Sequence, residues 1–322
     1  MTDSSVFRGG PLQAVACDLC GSNKDRTFLT LPDMMSNTSN QMYRLARCRS
    51  CDLIYLNPRP LPWQFASYYP ETYAPFARSR LGARARTWLH SRTVRELEHF
   101  LDAPNRVLDV GCGTGELMHE IRKAGNPNII GIEPSPGASR IAREQRKLDV
   151  STGTLEQQRY PAESFDTVLL SHVLEHLPSP VTTIAEVRRV LKPGGVIIIW
   201  VPNAASFAAR LLGRYWMGWD VPRHLYAFTP GSLHRLIEGA DLLPGEIFHE
   251  RHGLEWAWGI RLWAESRFPG HSINSVLATI HPFTGVALSS VGAVSAAIGA
   301  SGRIRMIVRK PIDDVRSNRF FS

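Results

Sequence analysis

Apolar residues along this chain follow two different spacings. Aliphatic runs the length of one buried strand lie at residues 106–110, 129–132, 165–170 and 196–203. Between them, residues 116–124 and 181–191 carry apolar side chains at helical spacing. The pattern therefore predicts strands and helices that alternate along the chain.

The first of these strands leads into a glycine-rich turn, VLDVGCGTGE at residues 107–116. Its three glycines lack Cβ atoms and allow backbone to approach a ligand. The dinucleotide fingerprint G-x-G-x-x-G differs, because the third glycine here comes one residue early and Glu116 follows it. Asp109 before the turn favours a cationic ligand group over a phosphate. Glu133, at the end of the next strand, is placed to accept ribose hydroxyls.

The stretch D-V-G-C-G-T-G, with the strands that follow it, resembles the first motif of class I S-adenosylmethionine-dependent methyltransferases. The resemblance covers residues 85–250 and a last strand at 303–310. It implies a Rossmann-like α/β fold, a seven-stranded, mostly parallel sheet flanked by helices, with strands 245–250 and 303–310 antiparallel. It also implies S-adenosylmethionine as the cofactor. The predicted cofactor-binding residues are Asp109, Gly111, Cys112, Gly113, Gly115, Glu133, Pro134, Ser171 and His172.

Four of the five cysteines form two C-x-x-C pairs, Cys17 with Cys20 and Cys48 with Cys51. Four thiolates on two tight turns predict a closed tetrahedral zinc site, which is structural because no position stays open. A hairpin is expected between the turns. Two disulfides are the alternative, and the absence of an export signal in the sequence disfavours them.

The net charge of +8 and the pI of 9.5 have two interpretations: the protein binds anionic partners, or the charge only keeps it soluble. Nucleic acid is disfavoured as a partner because residues 21–47 hold few cations and no basic, aromatic stripe. The strand end reads VPN at residues 201–203, not the N-P-P-Y type motif of base-modifying enzymes. The first ten residues lack the apolar core of a signal peptide, so a cytoplasmic location is expected. The oligomeric state is left open.

The segment before the first core strand is rich in proline, aromatic residues and arginine. A helix is predicted over residues 83–101. Six arginines without an acid lie within 77–95 and could face anionic lipid or pyrophosphate, or simply solvent. Because this segment closes over the cofactor in similar methyltransferases, its tyrosines are candidates to line the site. They are Tyr68, Tyr69 and Tyr73.

His172, Glu175 and His176 spell H-x-x-E-H, the inverted zinc-protease motif. The prolines that follow at once and the apolar strand before it predict a strand-end loop instead of a protease helix. In the methyltransferase interpretation this loop lies over the methyl-donor end of the cofactor, with His176 as a candidate acid or base. A related quinone O-methyltransferase group carries E-x-x-E-H here and resembles a divalent-metal site, which His172 puts in doubt.

The segment that begins at residue 216 resembles the acceptor side of this methyltransferase group. In similar sugar C-methyltransferases it reads E-H-L, and the histidine is the base. Here His224 keeps that position, while Arg223 replaces the glutamate, which disfavours C-methylation. His224 is the first candidate for the general base and His176 the second. Arg223 is predicted to contact a carboxylate or phosphate of the acceptor.

Residues 268–302 contain no Asp, Glu, Lys or Arg. Packing against the protein or a dimer interface, an interfacial or lipid-lining element and a membrane span are the alternatives, in that order. Nearby, Trp256, Trp258 and Trp263 suit a membrane interface or an aromatic substrate wall. The predicted units are a zinc module (1–56), a connector (57–100), the methyltransferase core (101–250), the uncharged insert (251–302) and the last strand with the tail (303–322).

These features predict methyl transfer from S-adenosylmethionine to a small molecule or glycan, with lipid linkage of the acceptor and peripheral membrane contact as options. A hydroxyl oxygen is the expected acceptor atom. The alternatives are a nucleic-acid methyltransferase, a non-catalytic cofactor-binding protein and a dehydrogenase.

Overall fold

The computed structural model describes residues 10–35, 40–69, 80–251, 253–269 and 288–312. Its elements form an amino-terminal module beside a larger α/β core. Tyr73 and most of the uncharged stretch, at residues 270–287, lie outside the described residues.

The module is built on antiparallel strands in two separate small sheets. Its strands are β1 (Leu12–Gln13), β2 (Asp25–Pro32), β3 (Met42–Cys48), β4 (Ile54–Leu56) and β5 (Arg59–Pro60). Strands β2 and β3 form the hairpin that was expected between the cysteine pairs, with Asp25 opposite Cys48. Strand β4 pairs with β3, and β1 pairs with β5. Short 3₁₀ turns lie beside the module at Pro62–Tyr68 and in the core at Leu174–His176, Gly213–Tyr215 and Met217–Trp219.

Two helices lead from the module into the core: α1 (Arg80–Glu96) and α2 (Glu98–Leu101). They correspond to the single predicted helix, interrupted at Leu97. Arg92 bonds Glu96 at 2.8 Å, so this arginine of the basic run has an acidic partner on its own helix. Arg78 lies outside the described residues.

A seven-stranded sheet forms the core, in the order β12-β13-β10-β9-β6-β7-β8. These strands are β6 (Val107–Val110), β7 (Ile129–Glu133), β8 (Val150–Thr152), β9 (Phe165–Ser171), β10 (Leu191–Pro202), β12 (Leu243–His249) and β13 (Arg303–Arg309). Strand β13 is antiparallel to both β10 and β12, and the pairs from β10 to β8 are parallel. This confirms the predicted Rossmann-like methyltransferase fold. Parallel strands are covered on both faces, as the fully buried β6 shows.

Helices flank this sheet: α3 (Glu116–Lys123), α4 (Pro136–Arg146), α5 (Leu155–Gln158), α6 (Pro180–Val190), α7 (Phe207–Leu212), α8 (Pro230–Glu238), α9 (Leu254–Arg267) and α10 (Ser289–Ala297). Their starts follow local sequence. Ser135 accepts a bond from the amide of Ala138, and Ser179 from that of Thr182, with proline at the start of each helix.

The module and the core share one sheet. The short strand β11 (Tyr226–Ala227), from the predicted acceptor segment, pairs antiparallel with β4 of the module. The resulting order is β11-β4-β3-β2. The module therefore supplies the neighbouring strand for a segment of the core.

The uncharged stretch is described only at its ends. Trp256 and Trp258 on α9 are buried, whereas the side chain of Trp263 is 48% exposed. Val291 on α10 packs against the main core. Among the described residues, the helices are too short or too polar to cross a bilayer.

Candidate active site

The glycine turn lies at the carboxyl ends of the parallel strands, where open α/β sheets bind their ligands, and we call this region the cleft. Gly111, Gly113 and Gly115 have φ values of 70°, 56° and 78°, a region that favours glycine. A Cβ on Gly111 would lie 2.6 Å from a methyl carbon of Val173, and one on Gly115 would lie 2.4 Å from Leu148. The backbone conformation favours glycine at all three positions, and space also favours it at Gly111 and Gly115.

Glu133 closes the turn from the neighbouring strand. Its Oε2 accepts a bond from the amide of Gly113 at 2.9 Å, and its Oε1 one from Ser135 at 2.8 Å. A carboxylate has about four acceptor positions, so two remain for a ligand's hydroxyls. Pro134 follows Glu133 in the loop before α4.

Two carboxyl groups give the floor of the cleft its electrostatic character. Burial, and then the charge of Glu133, raise the pKa of Asp109 to about 8. Burial also raises the pKa of Glu133, and it raises that of the Cys112 thiol between them. A bound cation would favour the ionised carboxylates and lower their pKa values.

This predicts a pH dependence of cofactor binding. The ligand-free protein holds Asp109 partly protonated near neutral pH, whereas a cationic ligand prefers it ionised. S-adenosylmethionine should therefore bind more tightly as the pH rises from about 5.5 to 7, by up to about tenfold per pH unit. Calorimetry in buffers of different ionisation enthalpy should also show proton release. A flat profile would contradict this, and Asp109→Asn is the control that should flatten it.

Strand β9, the neighbour of β6 in the sheet, ends beside the glycine turn. Ser171 is its last residue, and His172 follows with φ 57°, a conformation that is rare outside glycine. His172 Nδ1 lies 3.1 Å from Glu175 Oε1, and burial lowers the pKa of His172. The H-x-x-E-H motif thus lies in a strand-end loop and 3₁₀ turn, as predicted.

His176, at the end of this loop, contacts His224, with ring centroids 4.6 Å apart. His224 Nδ1 lies 2.8 Å from the carbonyl oxygen of Gly218. A carbonyl only accepts, so we assign the proton of neutral His224 to Nδ1, which leaves the Nε2 lone pair available. Asp220 Oδ2 lies 3.9 Å from that Nε2.

The surroundings of His176 make it a weaker base than a free imidazole. Burial, and then the positive charge that His224 can carry, lower the pKa of His176 to about 4. Its Nδ1 lies 3.1 Å from the carbonyl oxygen of Arg223 and 2.9 Å from the Tyr69 hydroxyl. In each of the two histidines Nδ1 is thus hydrogen-bonded, and Nε2 is the nitrogen left for chemistry.

Tyr69 lies beside His176, with ring centroids 6.2 Å apart. Burial, and then the charge of Asp220, raise its pKa, and the charges of Glu175 and Glu133 act in the same direction. Tyr68, by contrast, is buried and bonds Tyr43 at 3.3 Å, away from the cleft.

The predicted role of Arg223 is wrong. Its side chain is completely buried and forms ion pairs with Asp33 and Asp220. A guanidinium enclosed between two carboxylates has no surface for an acceptor. The sequence does not indicate this burial, because Asp33 lies far away in the chain. The proximity of Asp220 to His224 could have been predicted, because the two residues are four positions apart, the spacing of about one helical turn.

The four paired cysteines converge on one point, with sulfur atoms within 4.8 Å of one another. Cys17 to Cys51 and Cys20 to Cys48 are each 3.5 Å apart. This is well beyond a disulfide bond of about 2.05 Å. It is close to the separation of about 3.8 Å between thiolates that share a tetrahedral zinc ion with Zn–S bonds of about 2.3 Å.

A second group of metal-binding atoms lies in the cleft. Glu175, His176 and His224 each offer one such atom within 4.8 Å of the others. Glu175 Oε2 is buried and has no hydrogen-bond partner among the residues that the structure describes. Although burial alone would raise it, the pKa of Glu175 is held at about 2, chiefly by the bond to His172.

Comparison with known proteins identifies the family of the chain. A family model described as a methyltransferase domain matches residues 82–243, half of the chain. Two ubiquinone biosynthesis O-methyltransferases from strains of Cereibacter sphaeroides are 29% identical over 215 residues (61% of this chain, 83% of theirs) and 31% identical over 193 residues (54% and 76%). The crystal structure of a SAM-dependent methyltransferase from Archaeoglobus fulgidus matches with a TM-score of 0.49 at 19% identity, covering 70% of this chain and 94% of that one.

The sheet order, the glycine turn and the carboxylate at the end of the second core strand define a class I S-adenosylmethionine-dependent methyltransferase. The chain belongs to the methyltransferase-domain family that matches it, and it uses S-adenosylmethionine as its methyl donor.

Proposed function

We propose that this enzyme transfers the methyl group of S-adenosylmethionine to a hydroxyl oxygen of a small molecule, with His224 as general base. One observation carries the proposal: the bond from His224 Nδ1 to the Gly218 carbonyl leaves Nε2 available as a proton acceptor beside the cofactor cleft. The two relatives described above are named as O-methyltransferases, which supports oxygen as the acceptor atom.

In this proposal, different residues bind the donor and activate the acceptor. Asp109 and Glu133 hold the donor, together with the glycine turn, Cys112 and Pro134, while Ser171 and His172 lie toward its methyl end. A methyl sulfonium is already reactive, so alignment of donor and hydroxyl supplies most of the acceleration. His224 accepts the hydroxyl proton, and the charge of Asp220 stabilises the imidazolium that forms.

A glycan or a lipid-linked molecule is the finer proposal for the acceptor, with peripheral contact to a membrane surface. Its support is an apolar surface on α7 and α9, which pack together through Phe207 and Trp256, with ring centroids 5.8 Å apart. Leu211 and Trp263 expose 65% and 48% of their surfaces. Exposed arginines on and beside α7 would suit anionic headgroups.

The test is a panel of hydroxyl acceptors with the purified full chain. The probes are catechol, a methyl glycoside and an alkylated catechol presented with and without anionic vesicles. We expect S-adenosylhomocysteine release and a singly methylated product from at least one. Stimulation by vesicles supports the lipid-linked form. Donor binding without turnover on any probe would favour a non-catalytic protein, and strong, salt-sensitive RNA binding would favour a nucleic-acid substrate.

Glu133→Ala is the matched variant for the same panel. It removes the acceptor for the ribose hydroxyls and releases the amide of Gly113, so S-adenosylhomocysteine binding should fall at least 100-fold by calorimetry, roughly the loss of two charged hydrogen bonds. Glu163→Ala, at an exposed site, is the control and should bind normally. Unchanged S-adenosylhomocysteine binding in Glu133→Ala would contradict the assignment of the cleft as the cofactor site.

A divalent cation on Glu175, His176 and His224 is the second candidate. The buried Glu175 oxygen without a hydrogen-bond partner favours it, and such a cation would polarise the acceptor hydroxyl. His172 supplies no carboxylate for the ion, and this argues for the metal-free form as the first candidate. Turnover that survives prolonged chelation supports His224 as base, whereas turnover restored only by Mg²⁺ or Mn²⁺ supports the metal.

The proposal also includes a structural zinc ion on Cys17, Cys20, Cys48 and Cys51. The four sulfur atoms fit a closed tetrahedral site and leave no position for substrate. Zinc here would stabilise the module, whose own core is small, and take no part in methyl transfer.

A further inference from the structure

One buried ion-pair group joins the amino-terminal module to the acceptor side of the active site. Arg223 Nη2 lies 2.5 Å from Asp33 Oδ1, and Nη1 lies 3.1 Å from Asp33 Oδ2. Arg223 Nε lies 2.9 Å from Asp220 Oδ1. The side chains of Arg223 and Asp33 are completely inaccessible to solvent. Asp33 directly follows β2 of the module, whereas Asp220 and Arg223 belong to the core.

The turn that carries Arg223 contains His224 and contacts His176. The amides of Arg223 and His224 donate to the Asp220 carbonyl at 2.9 and 3.0 Å, so the three residues form one turn. The Arg223 carbonyl accepts the bond from His176 Nδ1. Whatever fixes the Arg223 side chain therefore also fixes the backbone that orients both imidazoles.

Main-chain bonds carry the same connection one residue further. Leu56 of the module donates its amide to the carbonyl of Leu225 at 2.8 Å, and Leu225 donates its own amide to Glu175 at 2.7 Å. The segment that holds His224 is thus held between the module on one side and the strand-end loop on the other.

We propose that Asp33 is a positioning residue for the methyl-transfer reaction: through Arg223 it fixes Asp220 and the orientation of the His224 imidazole. This rests on the proposed role of His224 as base. A buried ion pair adds little net stability compared with apolar packing, but it defines one geometry, because each charge needs its partner. The bidentate fork of Arg223 links two carboxylates from separate parts of the chain, which a lysine would not do.

The experiment compares Asp33→Asn with Asp25→Asn in the full chain. Asp25 pairs with Arg44 inside the same module and has no contact with Arg223, so it reports general weakening of the module. Long-range ¹⁵N spectra of the histidine side chains, with His224 identified by its loss in His224→Gln, give the tautomer without any acceptor. We expect the Nδ1–H form in the wild type and in Asp25→Asn, and a mixture of tautomers in Asp33→Asn.

Turnover adds a second readout, on whichever probe the acceptor panel identifies. Misplacement of a catalytic group by about 1 Å lowers the rate by about 10². Asp33→Asn should therefore lower kcat about 100-fold while the KM for S-adenosylmethionine stays within about twofold. In an Arg223→Lys background, where the bridge is already broken, Asp33→Asn should add little, because residues of one network are not additive.

An unchanged His224 tautomer in both Asp33→Asn and Arg223→Lys would overturn the proposal, as would an equal change in Asp25→Asn. If Asp33→Asn does not fold, Arg223→Lys carries the same test with the charge retained. The tautomer measurement stands even if His224→Gln keeps full turnover; that result would remove His224 as base and leave the structural connection demonstrated.

Discussion

His224→Gln is expected to lower kcat by a factor of about 10² to 10⁴, the contribution of a well-placed general base. Glutamine can still donate a hydrogen bond to the Gly218 carbonyl, so the loop should keep its shape, but it cannot accept a proton. S-adenosylhomocysteine affinity should not change, because Asp109 and Glu133 hold the donor. Steady-state kinetics on the methylated probe, with calorimetry of donor binding, measures both.

His176→Gln is the matched control for this prediction. Because the pKa of His176 is about 4, we expect a smaller loss, within about tenfold, as its proton affinity contributes less. A larger loss in His176→Gln than in His224→Gln would reverse the two roles. If both variants lose activity and the wild type loses it on chelation, the histidines act as metal ligands instead.

Cys48→Ser is expected to lose its zinc and much of its stability. Elemental analysis should return one zinc per chain for the wild type and near zero for the variant. Apparent binding free energies of structural zinc sites are about 10–16 kcal/mol, of the same order as the free energy of unfolding of a whole domain. Thermal unfolding should therefore begin well below the wild-type temperature, and the module should become sensitive to protease.

The fifth cysteine provides the control. Cys112 lies in the glycine turn, away from the other four, so Cys112→Ser should retain one zinc per chain. A wild-type protein without zinc, purified without chelator, would refute the metal site. Equal zinc loss in both variants would show that the metal binds elsewhere.

Local signals explain why the sheet and the floor of the cleft were predictable. Strands β6, β7 and β9 are short, mainly aliphatic runs with a polar residue as the last or the penultimate one, and their bounds moved by no more than a residue in the structure. The glycine turn was predictable because its positive φ values favour glycine, and the three glycines are visible in the sequence. The hairpin between the cysteine pairs followed in the same way, from two tight turns and the chain between them.

Contacts between distant parts of the chain explain what was missed. Arg223 looked like an acceptor ligand because sequence shows its charge but not its burial between Asp33 and Asp220. The pairing of β11 with β4 had no signal, since Tyr226 and Ala227 form too short a strand to recognise. The left-handed backbone of His172 is likewise imposed by its surroundings and not by residue type.

The pairing of β11 with β4 also bears on how this enzyme could be trimmed. The family match begins at residue 82, which invites a shorter protein that starts there. Such a fragment would leave the carbonyl of Leu225 without the hydrogen bond from the amide of Leu56 and open an unprotected strand edge beside the acceptor loop. The first residue of the family match is therefore not a suitable position at which to start a shortened protein.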